Sequence, residues 1–268
     1  MCSDVVEPSG RLHEHVARIF AEFDLGSPPP PIPVPGLFLQ LHAGRVFSAS
    51  DVLAIVEPLA FHREWPAVPR AALERCLRAL PAGATLAHLG VMLSRPGAPL
   101  RLVIHGVRSA AVAGCLESIG WHDPAGRFAA LVASISPYAD PVVMLDIDVA
   151  DTVRPKVGVE FYVRREADNR QRWEALLAFL TRRGLAGPAK AAAVLAWPGW
   201  TQEPDGSRTW PENLALGDLL LRGTGASAFW RNINHVKLGY QPGQEAEAKI
   251  YLGFGHNWFP IAPAPRPA

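Results

Sequence analysis

The sequence predicts an α/β protein in which antiparallel hairpins alternate with pairs of helices, the strands forming a barrel with the helices outside it. Three observations predict this. Apolar and polar residues alternate along the strand-like runs, turn signals join those runs two by two, and helical patterns come in pairs between them. Hairpins make neighbouring strands antiparallel, which argues against a doubly wound parallel sheet. A length of 268 residues suits one large domain. Within it, 1–36 reads as an N-terminal helix and a proline-rich connector, 37–259 as the barrel, and 260–268 as a disordered tail.

The elements follow in order. Residues 9–23 read as a helix, with Val16, Ile19, Phe20 and Phe23 on one side. The run Pro28 to Pro35 reads as extended, polyproline-like connector. A strand over Leu37–His42 precedes helices near 51–57 and 69–80. The first hairpin is Ala87–Ser94, a turn over 95–99 rich in proline and glycine, then Leu100–Val107. Helices near 109–119 and 126–135 lead to the second hairpin, Val142–Val149 and Lys156–Val163. Helices near 169–183 and 188–196 follow, with Gly184 and Gly187 as stops. A tryptophan-rich connection leads to the third hairpin, His235–Tyr240 and Ala246–Phe254. Any further strand falls around 43–48 or 200–230.

Composition narrows the function classes. Lysine plus arginine number 26 against 25 acids, a net charge of +1, so no global field draws nucleic acid or a membrane surface. No apolar run reaches the ~18 residues of a membrane span. Met1-Cys2-Ser3-Asp4 lacks the pattern of a secretory signal, so a cytoplasmic protein is expected. Cys2, Cys76 and Cys115 are odd in number and widely spaced, which predicts free thiols.

Alternation assigns each strand two faces. One is aliphatic: Leu102 and Ile104, Val143, Leu145 and Ile147, Val157 and Val159, Val236 and Leu238, Ile250 and Leu252. Stripes such as Val112, Leu116 and Ile119, or Trp173, Leu176, Leu177 and Leu180, give the helices a matching apolar side. The other face holds Arg101, His105, Asp146, Asp148, Lys156, Glu160, Tyr162, His235, Lys237, Lys249 and Tyr251, with Gly158, Gly239 and Gly253 among them. A solvated polar face is one reading of this pattern. A barrel makes the same face a polar lumen, where the glycines leave room for a ligand.

Hairpins inside, helices outside and a polar lumen resemble the aromatic prenyltransferases of the ABBA type. Ala248-Lys249-Ile250-Tyr251-Leu252 is similar to the Lys-x-Tyr strand motif of their indole and peptide branch, and Val236-Lys237-Leu238-Gly239-Tyr240 is a looser version with its tyrosine on the opposite face. The resemblance spans about 37–254. It implies transfer of an isoprenoid group from an allylic diphosphate to an aromatic, guanidine or peptide side-chain acceptor.

Arg101, Lys156, Lys237 and Lys249 would then neutralise the departing diphosphate. Tyr162 and Tyr251 would shield the allylic cation, and Glu160, Asp146 or His105 would take the acceptor's proton. Asp146 and Asp148 share a strand face, so they would either hold Mg²⁺ or pair with lumen cations. The tryptophans 197, 200, 210, 230 and 258 would line an acceptor entrance or pack in a helical layer. Two other functions fit the same pattern: a noncatalytic binding protein for a peptide or small anion, and a lyase or hydrolase using Glu160 and His105. No dinucleotide fingerprint, phosphate loop or nucleophile elbow occurs.

Overall fold

The computed structural model describes residues 2–23, 31–59, 70–93, 95, 99–163, 169–202, 210–220 and 225–260. The protein is mixed α/β, and among the described residues the strands join in one nine-stranded antiparallel sheet. The strands are β1 (Val16–Phe23), β2 (Pro35–Leu41), β3 (Thr85–Val91), β4 (Leu100–Arg108), β5 (Val142–Val149), β6 (Val153–Phe161), β7 (Gly199–Gln202), β8 (Gly225–Tyr240) and β9 (Glu247–Pro260). Their order is β1-β2-β3-β4-β5-β6-β8-β7, with β9 also on β8. Among the described residues no pairing joins β1 to the far end, so the sheet is not closed.

Among the described residues eight α-helices interleave: α1 (Cys2–Val6), α2 (Ala49–Val56), α3 (Arg70–Arg78), α4 (Val112–Ser118), α5 (Arg127–Ile135), α6 (Asn169–Arg182), α7 (Pro188–Ala196) and α8 (Glu212–Leu220). Their local signals are readable. Ser48 caps α2 by accepting from the Asp51 amide, and the Asp51 carboxylate accepts from the Ser48 amide in return. Pro188 opens α7 directly after Gly187.

Residues 9–23 are not a helix. Turns occupy the first part, and Val16–Phe23 pairs with β2, Ile19 opposite Leu39 and Phe20 opposite Phe38. The apolar spacing of 16, 19, 20 and 23 fits a helix, but β2 offers a complete backbone partner and the strand wins. Residues 43–48 are not a strand, whereas most of β7 and the first six residues of β8 fall within the expected interval 200–230. Residues 28–30 of the proline run, residues 96–98 of the turn and residues 261–268 lie outside the described residues, while Pro35 opens β2 and Pro260 ends β9.

The chain forms two compact units, 1–166 with 237–249, and 167–236 with 250–268. In the first, the aliphatic strand face is fully buried: Leu89, Leu102, Leu145, Ile147 and Val159 are all at 0 % exposure. Helices of the same unit bury Val52, Ile55, Leu73, Val112, Leu116, Phe128 and Val132. Tyr240 belongs to this apolar side and stacks on Phe128, the centroids 5.2 Å apart and the planes 7° from parallel. Cys76 and Cys115 are buried and free, as expected. Burial pushes the Cys76 thiol up to about 11, so it is inert.

A β-bulge at Gly106 shifts the β4–β5 register between His105 and Val107. Gly106 has φ +88°, and a Cβ there would stand 2.6 Å from the Gly83 carbonyl oxygen, so no other residue fits.

In the second unit, α6 buries Trp173, Leu176, Leu177, Phe179 and Leu180. β9 departs from expectation. Leu252 is 42 % exposed and Phe254 75 %, so this strand's aliphatic side is not covered as those of β4 and β5 are.

Candidate functional site

Strand register builds the polar face of the first unit. Arg101 on β4 stands opposite Asp148 on β5, Asp146 opposite Gly158 on β6, and Met144 opposite Glu160. Opposite charges directly across an antiparallel pair attract, and here the match is close. Arg101 Nε donates to Asp148 Oδ1 at 2.7 Å and Nη2 to Oδ2 at 2.9 Å. Arg95 lies 3.8 Å from the same carboxylate. Burial works against the Arg101 charge, but Asp148 outweighs it and raises the pKa further.

The centre of the cluster is Lys237 on β8. Its Nζ lies 2.7 Å from Asp146 Oδ1 and 3.4 Å from Glu160 Oε1. Glu160 Oε2 accepts from the Tyr162 hydroxyl at 2.9 Å, and the Met144 sulfur is 3.4 Å from that hydroxyl. Asp146, Asp148, Glu160 and Arg101 are all buried. Burial pushes the Asp146 carboxyl up to about 6, Lys237 opposing the rise and Glu160 adding to it. Burial also works against the Lys237 charge, but Asp146 and Glu160 prevail and hold its pKa above the usual lysine value.

Asp146 Oδ2 is buried with no hydrogen-bond partner. It lies 3.3 Å from where a Cβ on Gly158 would stand. This cluster therefore holds three cations, three carboxylates and one carboxylate oxygen with a spare lone pair.

The structure brings together Arg101, Asp146, Asp148, Glu160, Tyr162 and Lys237 and leaves four expected site residues elsewhere. Lys156 is exposed and bonds Glu247 at 2.6 Å, which holds Glu247 below the usual carboxylate range. Lys249 and His105 are exposed. Tyr251 belongs to the second unit, where its ring stacks on His235 at 4.3 Å. The four cations thus do not share one buried pocket, because the β9 lysine and the start of β6 are solvent-facing.

The glycines also differ from expectation. A Cβ on Gly158 would stand 2.7 Å from Lys237 Cε, and one on Gly239 would stand 2.8 Å from Glu247 Oε1. Asn232 occupies the space over Gly253. Protein side chains fill the room that the glycines make.

Asp146 and Asp148 do not fit a Mg²⁺ site. Arg101 takes both oxygens of Asp148 and Lys237 takes one of Asp146. Among the described residues no group of three His, Cys, Asp or Glu side chains is placed to hold a metal.

His88 and Arg95 were not singled out from the sequence. His88 shares this face, across from Val103, and burial lowers its pKa while Asp146 works the other way. Its alternation with Leu89 on a weakly patterned strand was the available signal. Arg95 sat in a predicted turn and carried none.

Among the described residues no helix is long and apolar enough to cross a membrane. No protein family, curated protein or solved structure matches the chain.

Proposed function

We propose that this chain is a prenyltransferase working from the polar face of its first unit. The observation that supports this is the cluster of buried Arg101, Asp146 and Glu160 with half-buried Tyr162 and Lys237, Asp146 Oδ2 being unspent. An allylic diphosphate ionises when its C–O bond breaks and the electron pair leaves with pyrophosphate. Arg101 uses two of its five N–H donors on Asp148, so three can receive the growing negative charge. The Tyr162 ring and the Met144 sulfur line the same face and would exclude water from the allylic cation. The acceptor's electron pair then forms the new bond to carbon. Its proton passes to Asp146, whose carboxyl burial raises to about 6, toward the range a general base needs.

A cytoplasmic setting belongs to the same proposal. The acceptor classes are an aromatic ring, a guanidine or a peptide side chain. A noncatalytic binding protein is the second reading, favoured by the fact that carboxylates already neutralise Arg101 and Lys237.

The test is calorimetric titration with dimethylallyl, geranyl and farnesyl diphosphate, then mass spectrometry after incubation with an acceptor panel. Saturable binding of one donor and an acceptor heavier by one prenyl group is the expected result. Binding without product would leave the second reading in place, and no binding of any donor would end the first.

A further inference from the structure

The second unit contains a cavity of about 320 Å³ lined by Trp197, Thr201, Trp210, Phe229, Arg231 and Phe254, among others. Its walls follow from the pairing of β7 with β8, where Thr201 faces Phe229 and Gly199 faces Arg231. Because Gly199 has no side chain, the Arg231 guanidinium can lie over it, Nη2 being 3.1 Å from where a Cβ would stand. The same guanidinium sits 5.6 Å from the centroid of the Trp197 ring. Trp197 is fixed in turn, its Nε1 donating to the Gly253 carbonyl at 3.2 Å. Trp210 meets Phe229 edge-on at 5.4 Å and 72°.

Two polar groups in this aromatic wall are unspent. No carboxylate of the described residues pairs with Arg231. The Trp210 Nε1–H is buried without a hydrogen-bond partner. A buried donor left unpaired is costly, and a guanidinium beside aromatic rings binds an anion more strongly than one in water. The size lies within the range of small-molecule sites. The flat walls select a planar ring, and the cation with the spare N–H selects an acidic substituent.

We propose that this cavity binds a small planar aromatic carboxylate, its ring among Trp197, Trp210 and Phe229 and its carboxylate on Arg231. The assignment is independent of the prenyl-transfer reading, since it uses only residues of the second unit.

The probes are 2-naphthoate, its neutral isostere 2-naphthamide, and cyclohexanecarboxylate, each titrated into the full chain by calorimetry. Naphthoate should bind saturably, roughly tenfold or more tighter than the amide. Cyclohexanecarboxylate should also bind more weakly, for want of a ring to stack. Arg231→Gln should bring naphthoate down to the amide's affinity, and Trp210→Phe should weaken it several-fold. If Arg231→Gln fails to fold, the comparison of acid and amide on the unaltered chain still decides. Equal affinity for the two, or no saturable binding of the acid, overturns the proposal.

Discussion

Lys237 Nζ lies 2.7 Å from Asp146 Oδ1 on the polar side of the sheet, linking residues 91 positions apart in a buried ion pair. The pair has a second carboxylate, Glu160, at 3.4 Å. Taking such charges out of water is expensive, and mutual attraction with good geometry offsets the cost. Removing one member should therefore be far worse than removing an exposed lysine.

Lys237→Met leaves Asp146 and Glu160 without their cation. It should cost about 3–5 kcal/mol of stability by urea denaturation. Lys249 is exposed, and Lys249→Met should stay within about 0.5 kcal/mol. Equal losses in the two variants would show that the buried pair carries no special weight.

The raised Asp146 pKa fixes the sign of a pH effect. The folded state holds this proton up to about pH 6, while the unfolded carboxyl releases it near the ordinary aspartate value of 3.8. Between these values the folded state binds more protons, so stability falls as pH rises. The contribution is fully present below about pH 3.8, is lost through pH 6, and amounts at most to about 3 kcal/mol. Asp146→Asn should flatten the stability profile between pH 4 and 6 relative to the unaltered chain. Parallel profiles for the two would contradict it.

Gly158→Ala places a methyl 2.7 Å from Lys237 Cε and 3.3 Å from the Asp146 Cβ. The lysine cannot swing aside freely because Asp146 pins its ammonium. A loss of about 1–3 kcal/mol is expected, read as a lower melting temperature. In a double-mutant cycle with Lys237→Ala the two losses should not add, since the second change removes the clash. Simple additivity would place the strain elsewhere.

Donor binding should separate the cations that the sequence grouped together. Arg101→Gln should weaken the best allylic diphosphate by roughly tenfold or more, as loss of a charge-assisted contact does. Lys249→Ala should change that affinity by less than about threefold, because an exposed ammonium is well screened. Calorimetry on both variants is the measurement. A larger effect at Lys249 would move the diphosphate site to β9.

The amino-acid sequence by itself determined most elements and the division of the strands of the first unit into two faces. Leu102, Leu145 and Val159 are buried on one side, and Arg101, Asp146 and Glu160 lie on the other. Alternation is a local property, so neighbours along the chain reveal it. Residues 16–23 escaped because a short apolar run satisfies both periods, and only β2 decides between them. Partner choice escaped for the same reason. Arg101 meets Asp148, Lys237 meets Asp146 and Lys156 meets Glu247 across strands that are 47, 91 and 91 residues apart. That pairing depends on register between distant strands, and so does the filling of Gly158 by Lys237. Composition set which charges the face would carry. Tertiary structure alone decided which of them are neutralised inside the protein, since burial and pairing depend on what the folded chain places alongside each charge.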